Sequence, residues 1–385
     1  MASRKFKKEY PNMMNETMNH LISRVADFSK TVIRPNASEY DKTEAFPEEQ
    51  LNQLSDMGVL RMPFDRLHGG LGGSFKDLLE VIRIVSRDCA STASILLTQT
   101  SMSLWPIYQY GTERQKQMHL PAMLSGETFG AFGLNELGMG NDLENMETLA
   151  VEKENHWELS GAKAFVSNAG KANAYLIGSK TIAKDGTSGY GIFIITAEMR
   201  GLIIGNREEK MGIRALPVAS LEFDQICVSK ENLLGGSCNG EEQCQSISDH
   251  MRLSIAAQAI GIAEGSFERA LNYVSQDRKF GQRLIDLRNT QFKLAEMYTE
   301  LQAAAALLDQ VAKNDQLDSI MVAMVKLKAA NTSIEMTEMA IQVTGGYGYM
   351  RNNDIERYVR DAKLTAFYGG NLETQKDTIA KKWIN

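Results

Sequence analysis

The chain has 385 residues, enough for about two or three domains of ordinary size. Hydrophobic residues make up 43% and charged residues 23% of it, which suits a soluble globular protein and excludes a mainly disordered, collagenous or coiled-coil chain. Lys+Arg number 42 against 48 Asp+Glu, a formal charge of −6. With no extended basic block to neutralise phosphates, a nucleic-acid partner is not expected.

In chain order, the basic start Met1-Ala-Ser-Arg-Lys-Phe-Lys-Lys is followed by polar residues and no apolar core of an export signal. Apolar runs such as Gly191–Ala197 are too short to span a bilayer, so no membrane association and a cytoplasmic location are expected. The first 125 residues read as mainly helical, for instance over Glu49–Met57 and Asp77–Ile95, with breaks at Pro35, Pro47, Pro63 and the glycines of 68–73. Cys89, Cys227, Cys238 and Cys244 form no CxxC pair and the histidines are scattered, so neither a metal site nor a disulfide framework is indicated.

Over 126–235 the period changes to two: Trp157/Leu159, Tyr190/Ile192/Ile194 and Leu221/Phe223 alternate with polar or small residues. Turn residues at 153–156 and 184–189 separate these runs, and antiparallel pairing is the natural reading. No proline follows Pro217, so the remainder is free to be helical. Leu294, Tyr298, Leu301, Ala305, Leu308 and Ala312 form a stripe on one long helix, and Ile320, Leu327, Ile334 and Ile341 repeat every seven residues on a second. Asn314-Asp315-Gln316 supplies the turn between them. The expected fold is α+β: a helical domain over 1–125, a central antiparallel β-domain over 126–235 and a C-terminal helical bundle over 236–385.

Three motifs carry chemistry. Gly133-Leu-Asn-Glu-Leu-Gly-Met-Gly-Asn-Asp142 spaces glycines so that backbone N–H groups can approach a phosphate or a ring edge. Arg278-Lys-Phe-Gly-Gln-Arg-Leu284 sets an arginine before a turn that opens a long helix, an arrangement suited to a pyrophosphate. The run from Gln342 to Asp361 joins a helix end to Gly345, Gly346 and Gly348 and then to alternating charges.

In order and spacing these motifs resemble those of the acyl-CoA dehydrogenase family of flavoproteins, over nearly the whole chain. The resemblance implies a C-terminal four-helix bundle, FAD held between domains and between subunits, and a homotetramer. It also implies an acyl thioester of CoA or an acyl carrier protein as substrate, with an electron-transfer flavoprotein as a candidate partner. Carried over by position, Phe132, Leu134, Asn135, Gly140 and Asn141 lie along the flavin's pyrimidine edge and the thioester, Asn135 and Asn141 replacing the family's Thr and Ser. Phe165 shields the flavin and Ser167 lies near its N5, a plain buried strand being the alternative for that segment. Arg278, Phe280, Gln291, Gln342, Gly345 and Gly346 contact the FAD of a neighbouring subunit, with a surface ion pair the alternative for Arg278; Asn371 and Glu373 are cofactor-side residues.

The departure lies in Tyr368-Gly-Gly-Asn371, where the family usually has Tyr-Glu-Gly-Thr and the Glu removes the α-proton: here that position is Gly369. The family's alternative base position, just before an arginine on a bundle helix, is Met251 in Ser248-Asp-His-Met-Arg252. Asp249, His250 and Glu373 are candidates for a displaced base, although a helix-surface charge or a contact to CoA explains the first two equally well. Arg252, deprived of the usual carboxylate, is expected to meet an anionic substrate group or a nearby acid. The segment Ala90–Ser103, which in relatives with acidic substrates supplies an arginine to the acyl tail, is uncharged here, which the resemblance turns into an expectation of a neutral tail or of different anchoring. The leading expectation is an FAD-dependent α,β-dehydrogenation with a displaced or absent base. A base-independent flavoprotein, desulfinase-like or biosynthetic, and a non-catalytic FAD-binding partner subunit are the alternatives.

Overall fold

The computed structural model describes residues 17–140, 142–278, 281–314 and 316–384; Asn141, Phe280 and the turn residue Asp315 lie outside them. The chain opens with a helix over 17–28 that continues through a π-turn, Ser29–Ile33, into Arg34–Thr43. Four further helices build most of the rest of the N-terminal part: α1 (Glu48–Asp56), α2 (Phe75–Asp88), α3 (Ala90–Gln99) and α4 (Glu113–Ser125). The single helix expected over Asp77–Ile95 is two, because Cys89 is extended (φ −149°, ψ 104°) and breaks it. A capping box, Ser74 with Asp77, starts α2 ahead of the expected point by satisfying orphan N–H groups. All of α3 is buried, its serines and threonines included.

The middle of the chain is a seven-stranded sheet: β1 (Gly130–Gly133), β2 (Leu149–Glu152), β3 (His156–Ser167), β4 (Ala174–Ile182), β5 (Ser188–Thr196), β6 (Leu202–Arg207) and β7 (Val218–Ser229). It is mixed rather than purely antiparallel: β1 pairs in parallel with 174–177 of β4, and β2 in parallel with 180–182. The two short strands thus lie end to end beside β4, and the Gly-rich segment between them leaves the sheet after Gly133 and returns at Leu149. The remaining pairings are antiparallel. Strand β5 is buried on both faces over 192–195, not half-buried. Leu176, Ile192 and Ile194 join the helical core, while Tyr175, Ile177, Phe193 and Ile195 join a core of the sheet's own.

The C-terminal part comprises α5 (Gly240–Val274), α6 (Arg288–Val311), α7 (Ser319–Thr344), α8 (Glu356–Leu364) and α9 (Leu372–Ile384). The buried stripe of α6 runs through Leu294, Met297, Leu301, Ala304, Leu308 and Val311, so Tyr298 of the expected stripe faces outward. Helix α5 is buried all round from Leu253 to Ala263. A Cβ at Gly261 or Gly265 would stand 2.2 or 2.1 Å from the carbonyls of Arg83 or Arg87, so only glycine lets α5 approach α2 this closely. The N-terminal helices and the bundle consequently share one core, with the sheet set against its side.

Candidate active site

Where the sheet meets the bundle, a cavity of ≈ 100 Å3 separates two walls. Phe132, Leu134, Asn135, Phe165 and Ser167 form the sheet wall; Met251 and Arg252 of α5 with Tyr368, Gly369 and Gly370 form the bundle wall. Met102 and Met139 complete its lining together with Leu143, Ala164 and Ser248. Beside it, sharing Leu134, Leu143, Ser248 and Arg252, a wider cavity of ≈ 640 Å3 leads outward past Gly189, Cys238, Glu241 and Glu242. The inner end of this passage is cationic and its mouth acidic.

The sheet wall is held by a buried ion pair that the sequence motif did not flag. Lys163 Nζ donates to Glu136 Oε1 at 2.5 Å and to Leu134 O at 3.0 Å. The carboxylate also accepts from the backbone N–H groups of Glu147 (2.6 Å) and Thr148 (3.1 Å). Burial works against ionisation of Glu136, but these donors outweigh it and hold its pKa below the ordinary value, whereas burial lowers that of Lys163. The pair pins 134–136 over β3, and Asn135 adds a backbone bond, Ala164 N–H to its carbonyl at 2.8 Å.

Phe165 lies in a β-bulge, where the register of β3 on β7 shifts between Lys163 and Val166. Its φ of 55° is unusual for an aromatic residue, and the bulge turns the ring outward, leaving the residue 61% exposed. Ser167 follows at the cavity. An exposed aromatic face, an amide and a hydroxyl along one wall, with open space over Gly138 and Gly140, fit a planar heteroaromatic ring with polar edges. The residues present therefore suit a flavin.

On the bundle wall Gly369 has a φ of 69°, and an added Cβ would stand 2.6 Å from Ile255 Cδ1 and 3.7 Å from Met251 Cε. The two positions from which a base would act are thus neighbours facing one space, and neither has an ionisable side chain. Asp249 is buried and turned away: it accepts from Ser319 Oγ at 2.6 Å, from Gln245 Nε2 at 3.1 and 3.2 Å, and from Arg252 Nη1 at 3.2 Å. It is the nearby acid that Arg252 was expected to find. His250 stacks on Trp105 at 3.5 Å and contacts Phe75 at 4.8 Å on another face of α5. Burial pushes its pKa down to about 4, against a smaller opposite effect of the Ser246 carbonyl. Neither residue lines the cavity.

Sequence reasoning also missed Lys326. It lies buried on α7, donates to Gly370 O at 2.6 Å, and burial together with the charge of Arg252 pushes its pKa down to about 7. No local feature of the sequence marks it, because its burial comes from the packing of α7.

Other positions carried over from the family lie apart from this cavity. Arg278 donates to the Tyr273 hydroxyl at 2.9 Å, and Tyr273 stacks on Tyr347 at 4.2 Å. Gln291 donates to Ile285 O at 3.0 Å. Gln342, Gly345 and Gly346 are exposed, with open space over both glycines. Asn371 caps α9, accepting from Thr374 N at 2.8 Å, and Glu373 is an exposed partner of Lys376.

A helix–sheet–helix chain with a cavity where sheet and bundle meet defines a recognisable class. Family models described as the N-terminal, middle and C-terminal domains of acyl-CoA dehydrogenase match residues 15–127, 131–226 and 239–384. The chain belongs to the acyl-CoA dehydrogenase family, flavin-dependent oxidoreductases of acyl thioesters. It is 36% identical to the short-chain specific acyl-CoA dehydrogenase of Clostridium acetobutylicum, over 93% of this chain and 95% of that one. The butyryl-CoA dehydrogenase of Megasphaera elsdenii superposes with a TM-score of 0.91 at 30% identity, covering 96% of this chain and 98% of that one. The prolyl acyl carrier protein oxidase AnaB does so with a TM-score of 0.89 at 27% identity, covering 95% and 98%.

Proposed function

We propose that this chain binds FAD between the Phe165 wall and the bundle and oxidises an acyl thioester without a basic side chain of its own at the α-carbon. The observation that carries this reading is the placing of Gly369 and Met251 side by side in one wall of the cavity, with Asp249 committed to four donor contacts and His250 stacked elsewhere. When bound, the flavin supplies a two-electron acceptor. The protein's part is to hold the ring with Phe165, Asn135 and Ser167, to exclude water with Met102, Met139 and Met251, and to keep Arg252 at the passage from the wider cavity. CoA and an acyl carrier protein both remain carriers that this passage can serve. The exposed Gln342, Gly345, Gly346, Tyr347 and Tyr349 support a second copy of the chain over the outer part of the cofactor, as in a homotetramer, with an electron-transfer flavoprotein as the reoxidant.

A carboxylate restored to the cavity tests the reading. Gly369→Glu must adopt a left-handed backbone, which costs about 1–2 kcal/mol, and must displace Ile255 Cδ1. Met251→Glu sits on a regular helix and escapes both penalties. A positioned base contributes roughly 10²–10⁴-fold, so Met251→Glu loaded with FAD should bleach anaerobically with a saturated acyl-CoA faster than the wild type by about that factor. Wild-type protein that already bleaches as fast as the variant would refute a base-free site.

A further inference from the structure

We propose that the acyl group this site is built for carries a carboxylate on the carbon next to the thioester, held by Arg252 in the cavity that Gly369 lines. This rests on the reading of a base-free acyl-thioester pocket and adds to it the class of acyl group.

The charges around the missing side chain do not balance. Two cations, one buried and one largely so, point at consecutive carbonyls: Lys326 Nζ donates to Gly370 O at 2.6 Å and Arg252 Nε to Gly369 O at 3.0 Å. Among the described residues one carboxylate, Asp249, is the only charge partner of either, at 3.2 Å and through Nη1 alone. The second terminal nitrogen of Arg252 has no protein partner among those residues, although its side chain is only 11% exposed. That side chain lines both cavities. A buried cation short of a partner is costly, and an anion brought by the ligand removes the cost. Burial, and after it the positive charge of Arg252, lower the pKa of Lys326.

The rest of the lining says where that anion belongs. Asn135, Ser167 and Ser248 are neutral, and Gly369 brings no competing carboxylate to the cavity. Helix α3 and the turn after it, residues 90–103, contain no charged side chain, so nothing there would hold an acid at the far end of an acyl chain. The cationic group stands instead where the thioester's neighbouring carbon would lie.

Such a carboxylate also makes a base unnecessary. Removal of a β-hydrogen as hydride requires an electron pair at the α-carbon, which a C–H bond yields only to a base. In a 2-carboxyacyl thioester the bond to the carboxylate breaks, CO2 leaves, and its electron pair becomes the C2=C3 bond as the C3 hydrogen departs with its own pair to the flavin oxidant. One enoyl thioester, one CO2 and one two-electron-reduced flavin result, and no proton is taken up by the protein.

The test compares butyryl-CoA with 2-carboxybutyryl-CoA on the FAD-loaded protein. Binding is read by calorimetry with the flavin first reduced, so that no turnover occurs, and CO2 release is read with the flavin oxidised. A hydrogen bond to a charged group is worth about 1.5–3 kcal/mol, a factor of about 10–150, so the carboxylated thioester should bind that much more tightly. Arg252→Gln should erase the preference, the two thioesters then binding within about threefold of each other, while Arg252→Lys, keeping the charge if the Gln variant fails to fold, should retain part of it. One CO2 per flavin bleached is expected. Equal affinities, or tight binding without CO2, would overturn the proposal and leave the base-free reading intact. Failure of both thioesters to bind would overturn the reading beneath it.

Discussion

Replacing Lys163 by methionine removes the ammonium that holds the sheet wall of the cavity. Its side chain is 0% exposed and that of Glu136 7%, so the carboxylate left behind cannot recruit bulk water. Loss of one partner from a buried pair costs about 3–5 kcal/mol. Glu136 keeps its bonds from Glu147 N and Thr148 N, which places the expected loss near the lower figure, about 3 kcal/mol. Because the pair also pins 134–136, FAD affinity should fall together with stability. The double variant Lys163→Met, Glu136→Gln removes the orphaned charge and should recover at least half of the stability but little of the FAD affinity. Urea unfolding of the apoprotein and fluorescence titration with FAD measure the two quantities. A single-variant loss below about 1 kcal/mol, or no recovery in the double variant, would refute the account of the pair as a buried anchor.

Phe165→Ala removes an outward-facing ring and should leave apoprotein stability nearly unchanged while weakening FAD binding about tenfold, as expected for loss of one aromatic stack. Unaltered FAD affinity in a fluorescence titration would remove Phe165 from the cofactor site. His250 predicts a pH effect with a definite sign. Its folded pKa of about 4 lies below the ordinary 6.5, so between these values the unfolded chain binds more protons. Stability is therefore full above 6.5 and is lost as pH falls towards 4, by about 3 kcal/mol from this group. His250→Phe should flatten that part of the stability–pH curve in chemical denaturation, and an unchanged curve would count against a buried neutral imidazole.

Legibility in the sequence followed the physical kind of signal. Helices α6 and α7 were readable because one side of each is buried, although the stripe on α6 was placed one position off at Tyr298 and Ala305, where its true centre is Met297 and Ala304. Helix α5 has no stripe to read, being buried all round from Leu253 to Ala263; only the absence of proline hinted at it. The mixed pairing of the sheet was hidden because β1 and β2 are four residues each, too short to show a period, and their partner β4 is a distant segment. In the site, glycines and the Phe165–Ser167 run marked the sheet wall. Lys163 was detectable in principle as a lysine in phase with the inward-facing Trp157 and Leu159. Lys326, and the occupation of Asp249 by Ser319 and Gln245, depend on helix packing and left no local trace.

Hydrogen exchange at the substrate's α-carbon addresses the central claim without requiring oxidation to occur. With butyryl-CoA bound to the reduced flavoprotein in deuterium oxide, any side chain able to take and return the C2 proton would wash deuterium into the thioester, as mass spectrometry would show. The wild type should incorporate none above the protein-free control, and Met251→Glu should incorporate it readily. Steady deuterium incorporation at C2 by the wild type would reveal a working base in the cavity and contradict the account.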